Sequence, residues 1–245
     1  MKIFLLIFIV LLNTTATFGG TRDPNTPDSK YLEYGKKHKC VIKITTITKE
    51  DKKAYGSAVA IDPYWVLTAA HLVKDSINAK IILDNKEIAI DEIFIPDEYD
   101  EKKIGLSDIA LCKLNEGLDL NFYPELYEKE DEVGKVCSIS GFGVTGTFSS
   151  KERIDDGIRR AGSNQIDNIE KHLLICTPGI KNKTELEFSI SHGDSGGGLF
   201  IDRKLAGINS CVMAADKNPN SSYGDECGHT RVSIHRNWII NIIKK

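Results

Sequence analysis

Apolar and β-branched positions along this chain come in short runs broken by turn residues. Cys40 to Ile47, Gly56 to Ile61 and Trp65 to Thr68 read as strands, with Asp62-Pro63 marking a turn between the last two. Ile81–Leu83 and Ile88–Ile90 flank a turn at Asp84-Asn85, and Ile93–Ile95 stops at Pro96. Ile109 to Leu114 completes a first group of about six strands before residue 120. Residues 115–132 are acidic and irregular and read as a linker. A second group follows at Lys135–Ser140, Leu173–Cys176, Gly198–Ile201, Ala206–Cys211 and Thr230–Ser233, with Gly141-Phe142-Gly143 as a turn or bulge. The pattern then changes. Ile234, Trp238, Ile239, Ile242 and Ile243 fall at helical spacing, which predicts a C-terminal amphipathic helix. Residues 20–39 are polar, carry Pro24, Pro27 and Gly35, and read as an extended lead-in.

The first nineteen residues differ from all of this. Met1-Lys2 precedes ten apolar residues, Ile3 to Leu12, too few to span a bilayer comfortably and typical of a secretory signal peptide. Small residues at alternate positions allow cleavage after Ala16 or after Gly19. The expected organisation is therefore a signal peptide over 1–19 and one domain over 20–245, secreted to the extracellular space. The net charge of -3, with signs mixed, gives no basic face for nucleic acid, and no second apolar stretch would reach across a membrane. Six cysteines in a secreted chain suggest up to three disulfides, and none forms the CxxC spacing of a zinc site. Asn182-Lys183-Thr184 and Asn220-Ser221-Ser222 are N-glycosylation sequons.

Three strings carry chemistry. Thr68-Ala69-Ala70-His71 supplies a base, Asp108-Ile109-Ala110-Leu111 an acid, and Gly193-Asp194-Ser195-Gly196-Gly197 a nucleophile. A serine hydroxyl needs a base within hydrogen-bond reach, and the base needs an orienting acid. His71, Asp108 and Ser195 fill those roles, and the glycines let the amides of Gly193 and Ser195 turn toward an oxyanion. Each string alone has a bland reading as a structural histidine, a capping aspartate or a plain turn. Their combination in the order His, Asp, Ser does not.

With these motifs the chain resembles the chymotrypsin/trypsin-like serine peptidases over roughly residues 40–245. Trp65–His71, Asp108–Leu111, the Gly141-Phe142-Gly143 loop after Cys137, Gly207–Ser210, Thr230–Ser233 and Trp238-Ile239 carry the likeness. The resemblance implies an all-β fold of two six-stranded antiparallel barrels with a C-terminal helix, and the triad between them. It implies a serine endopeptidase working through an acyl-enzyme on protein or peptide substrates. The resemblance also admits protein inhibitors, a monomeric state and no cofactor or metal. By the same likeness Ser189, Ser210, Val212 and Cys227 would bind substrate. A serine at the pocket floor, with Val212 and Cys227 as walls, argues against Arg/Lys specificity and for a small or medium apolar residue. His229 and His192 near the pocket would otherwise favour an acidic or amide side chain, or His229 is simply packed beneath it.

The sequence departs from the family at several points. A cysteine pair usual after the base is replaced by Leu72 and Gly56, and Gly198 stands where proline is usual. The usual partner of Cys137 falls at Ile201, so pairing must differ, with Cys211–Cys227, Cys40–Cys112 and Cys137–Cys176 as the expected bridges. The family frees an apolar N-terminus beginning Ile/Val-Val-Gly-Gly, whose amine pairs with the aspartate before the nucleophile, here Asp194. No such start is present, and Arg22-Asp23 is a poor substitute. Removal of the signal peptide, or another group, would have to supply the partner. Without one, a silent homologue that binds a protein partner is the alternative reading.

Overall fold

The computed structural model describes residues 20–179 and 183–244. The expected signal peptide and Asn182 lie outside the described residues. The described chain opens with β1 (Gly20–Arg22) and α1 (Asp28–Gly35). It continues through β2 (Val41–Thr48), β3 (Lys53–Asp62), β4 (Trp65–Thr68), the single turn α2 (Ala70–Val73), β5 (Ser76–Leu83), β6 (Lys86–Phe94) and β7 (Ala110–Leu114). Strands β2 to β7 close an antiparallel barrel of six strands in the order β2-β3-β4-β7-β6-β5. Alternating burial along β2 sets its inside. Ile42 and Ile44 are buried among Ala58, Ala60, Val66 and Ile81, while Lys43 between them and Thr45 after them are half-buried. Asp84 and Asn85 take φ of 49° and 66°, the pair of positive values that a two-residue hairpin turn demands.

The second half contains β8 (Val136–Gly141), β9 (Thr145–Thr147), β10 (Arg160–Gln165), β11 (Asn168–Glu170), β12 (Leu173–Cys176), β13 (Phe188–Ser189), β14 (Gly198–Ile201), β15 (Lys204–Met213), β16 (Glu226–Arg231) and α3 (Val232–Ile243). Seven of these strands form one antiparallel sheet, β10-β8-β14-β15-β16-β12-β11. Its two edge strands, β10 and β11, are consecutive and joined only by Ile166-Asp167. The chain itself therefore ties the ends of the sheet together. Counted as one bent strand, the pair gives the six positions of the second expected barrel. Between the halves, Val41, Val59, Leu67, Ile109 and Leu111 pack against Phe200, Leu205, Ile208, Val232 and Ile239. The helix α3 covers this junction with Ile239 buried, although Ile234, expected on its apolar face, is exposed.

The expected strand Thr230–Ser233 is cut short, since β16 ends at Arg231 and α3 begins at Val232, and two further expectations change. Residues 28–35 are helical rather than extended. The start and stop marks were present, with Pro27 just before the helix, Asp28 in its first turn and Gly35 at its end. Too few buried positions gave it a period, and its anchors are tertiary. Tyr31 is fully buried and donates to the Glu187 carbonyl at 3.1 Å, and Asp28 takes a two-pronged hydrogen bond from Arg160. The six cysteines are free thiols rather than three bridges. Cys40 and Cys112 belong to different core clusters, and Cys211 stands opposite Gly228 rather than Cys227 in the β15–β16 register. Cys137 and Cys176 approach each other, at 3.9 Å between sulfurs, and Cys176 also stands opposite Cys227 in the β12–β16 register.

Candidate active site

The base and the acid are brought together by one strand pair. Thr68 at the end of β4 stands opposite Ala110 at the start of β7. His71 lies three residues beyond the first, and Asp108 two residues before the second. At Ala69 the chain leaves β4 for the single turn of α2, which directs the imidazole back over the strand ends. Asp108 is buried, and its carboxylate is held from three directions. Oδ1 accepts the His71 amide at 2.9 Å, while Oδ2 accepts His71 Nδ1 at 2.7 Å and the Ser210 hydroxyl at 2.6 Å. The Thr230 hydroxyl donates to the Asp108 carbonyl at 2.9 Å. Burial acts to raise the Asp108 pKa, but the hydrogen bonds and charge of His71 and the Ser210 hydroxyl outweigh it and hold the group below the usual carboxylate value. An ionised Asp108 accepts only, so Nδ1 of His71 carries the proton and Nε2 is left as the acceptor.

Ser195 sits on a loop stapled to both halves of the molecule. Its carbonyl accepts the Ser57 amide of β3 at 2.8 Å, and Gly196 donates to the Asn209 carbonyl of β15 at 2.8 Å. The Ser57 hydroxyl donates to the Gly193 carbonyl and accepts the Phe142 amide, both at 2.9 Å. Gly193 and Gly196 take φ of 89° and 81°, and a Cβ on Gly196 would lie 2.1 Å from the Ser57 carbonyl oxygen. The approach also brings the loop to His71, because that same Cβ would be 3.0 Å from the Ala69 nitrogen. Among the described residues the amides of Gly193 and Ser195 donate no hydrogen bond, which leaves both available to a ligand. No hydrogen bond joins Ser195 Oγ to His71; such bonds commonly tighten only in the substrate complex.

The proposed substrate-binding residues fall in three settings. Ser189 and Cys227 are fully buried and face each other, with Oγ and Sγ 2.8 Å apart. The Cys227 sulfur thus lies directly against the Ser189 hydroxyl. Burial pushes its thiol up to about 12, so it stays neutral. Val212 is half-buried beside it on β15. Ser210 spends its side chain on Asp108, leaving its backbone as the part that a substrate could meet. His229 is buried on β16 opposite Asn209 of β15, bonded through Nδ1 to Asn209 Oδ1 at 2.9 Å, and burial pushes its pKa down to about 3. It is packed under the site rather than facing it. His192 is exposed and meets the edge of Tyr55. Leu72 fills the place of the family's missing cysteine pair, since its side chain reaches to within 2.5 Å of where a Gly56 Cβ would be.

Asp194 is enclosed behind the nucleophile. Its Oδ1 accepts the Gly143 amide at 2.8 Å and Oδ2 the Ser191 amide at 3.0 Å. Burial pushes its pKa up to about 7. Among the described residues no cation reaches it. Sequence reasoning also missed Ser57, Asn209 and the ion pair of buried Glu132 with Arg231, whose two bonds are 2.8 Å each. Ser57 and Glu132 lie in segments with no motif of their own, and Asn209 and Arg231, though inside strings that carry the family likeness, take these roles only through partners distant in sequence.

Comparison with known proteins gives one consistent answer. The family model described as Trypsin matches residues 34–239. Serine protease SSP1 of Scolopendra subspinipes is 24% identical over 96% of this chain and 91% of its own length. Snake venom serine protease KN14 of Trimeresurus stejnegeri is 25% identical over 84% of this chain and 83% of its own. Among solved structures, HL collagenase superposes with a TM-score of 0.70 at 18% identity, covering 85% of this chain and 94% of that one.

Proposed function

Because this chain belongs to the trypsin family of serine endopeptidases, we propose that it is a working, secreted member that cleaves after small or medium apolar residues. The observation that carries the reading is the 2.7 Å bond between His71 Nδ1 and Asp108 Oδ2, with Ser210 as a second donor to the same carboxylate. Ser195 Oγ attacks the scissile carbonyl, and His71 Nε2 takes its proton and returns it to the leaving amine. Asp108 keeps the imidazole in the required tautomer. The free amides of Gly193 and Ser195 take the oxyanion. Water then releases the acyl-enzyme by the same route. Secretion is supported by the apolar leader and by a relative named as a venom protease.

The selectivity rests on the contact of Cys227 with Ser189, which fills the depth needed by Arg or Lys and offers no carboxylate to pair with them. The test is digestion of a mixed peptide library by the secreted protein, with Ser195→Ala as control. Cleavage after Ala, Val or Ser that disappears in the variant supports the reading. Preferred cleavage after Arg or Lys overturns the selectivity, and no serine-dependent cleavage overturns the activity. The silent-homologue reading draws on one observation, the absence of a cation for Asp194 among the described residues.

A further inference from the structure

We propose that the missing cation is the α-ammonium group of Gly20, and that the cut which removes the leader creates it, so that this chain has no separate zymogen stage. The inference rests on the proposed function and adds to it where, and by what class of reaction, the active form arises. It departs from the start the family resemblance implies, since neither a basic residue before the cut nor an Ile or Val after it is present.

The placement of β1 carries the argument. It lies between β13 and β9, with Thr21 opposite Ser189 and Gly20 beside Thr145. Thr21 is buried and bonds to the Ser221 carbonyl, and Arg22 pairs with Asp28 at 3.1 Å. These contacts fix where residue 20 arrives. A Cβ built on Gly20 would stand 2.7 Å from Asp194 Oδ2, 3.2 Å from the Phe188 ring and 3.3 Å from the Val144 carbonyl oxygen. The backbone of residue 20 therefore lies against the carboxylate, and a side chain there would strike it. An apolar first residue of the family kind does not fit, whereas glycine does.

Nothing else described can take this role. Arg160, the cation whose charge Asp194 feels, is committed to Asp28 and Asp156 by bonds of 2.8 to 3.0 Å. A cut at Arg22-Asp23 would release β1 and empty the site beside Asp194. Cleavage after Ala16 would leave Thr17-Phe18-Gly19 in front of Gly20, with a neutral amide where the charge is needed. Cleavage after Gly19 leaves small residues, Thr17 and Gly19, at the two positions a leader peptidase reads. Water splits the Gly19–Gly20 amide, the carboxylate stays on Gly19, and the protonated amine stays on Gly20. Paired with it, Asp194 is ionised and holds the loop that carries Ser195.

The test compares three preparations of the full domain, beginning at Gly20, beginning at Thr17, and beginning at Gly20 with an acetylated α-amine. Each is checked for the same circular dichroism, then labelled with a fluorophosphonate. The expected result is rapid labelling of the first and labelling slower by about a hundredfold in the other two, the scale of losing an oxyanion-hole donor. N-terminal sequencing of the secreted protein is expected to begin at Gly20. Equal labelling of all three, or a secreted active form beginning elsewhere, overturns this inference and leaves the proposed function standing. No labelling of any preparation overturns both.

Discussion

Asp194→Asn in a chain that begins at Thr17 reads the burial of this carboxylate directly. Without a free amine at residue 20, Asp194 rises from an ordinary 3.8 to about 7 through burial, the amides of Gly143 and Ser191 notwithstanding. A rise of about three units corresponds to about 4 kcal/mol at roughly 1.4 kcal/mol per unit. A raised acid is more protonated in the folded state than in the unfolded one. Its contribution is therefore fully present below about pH 4 and is lost as pH rises through about 7. The asparagine variant does not titrate, so its fixed mismatch with the two amides cancels from the pH dependence. Arg160 and Tyr55, the charged and titratable neighbours that Asp194 affects, are common to both proteins. Urea unfolding from about pH 4 to about pH 7.5, followed by the fluorescence of Trp65 and Trp238, is expected to show the wild-type advantage over Asn falling by about 4 kcal/mol. In the form beginning at Gly20, the adjacent ammonium holds Asp194 ionised and the fall should vanish. A flat difference in the longer chain, or the same fall in both, refutes the reasoning.

Three further outcomes follow from the same contacts. Cys227→Gly removes the sulfur from Ser189 and should raise kcat/KM for Leu relative to Ala before the cut bond by about tenfold or more, the scale of one or two methylenes in a pocket, read by peptide profiling. Ser210→Ala deletes a hydrogen bond to ionised Asp108, worth about 1.5–3 kcal/mol, and should lower kcat about tenfold or more with KM little changed. Tyr31→Ala opens a cavity under α1 and should cost about 3–5 kcal/mol in urea unfolding. Tyr31→Phe loses only the bond to Glu187 and should cost about 1 kcal/mol.

What was legible in the sequence was what repeats or what chemistry demands. The β-branched run Cys40 to Ile47 gave β2, and the Asp84-Asn85 pair gave the β5–β6 turn, because both depend on neighbours in sequence. The strings around His71, Asp108 and Ser195 stood out because few arrangements of residues activate a serine. What was not legible depends on distant partners. β1 is Gly-Thr-Arg, which carries no strand pattern and is extended only because β9 and β13 flank it. β10 is Arg-Ala-Gly-Ser-Asn-Gln, with no large apolar residue, and Arg160 and Asn164 are nonetheless buried with tertiary hydrogen bonds. The absent apolar start is what keeps the silent-homologue alternative open, and the approach of Gly20 to Asp194, residues 174 positions apart, is a relation that no local pattern carries.

The most direct test of the account is the position of a fluorophosphonate adduct on the secreted protein, located by peptide mass mapping. One adduct on Ser195, absent from Ser195→Ala and from His71→Ala, is the result the account requires. A correctly folded wild type that takes no adduct, or takes it on another residue, would contradict it.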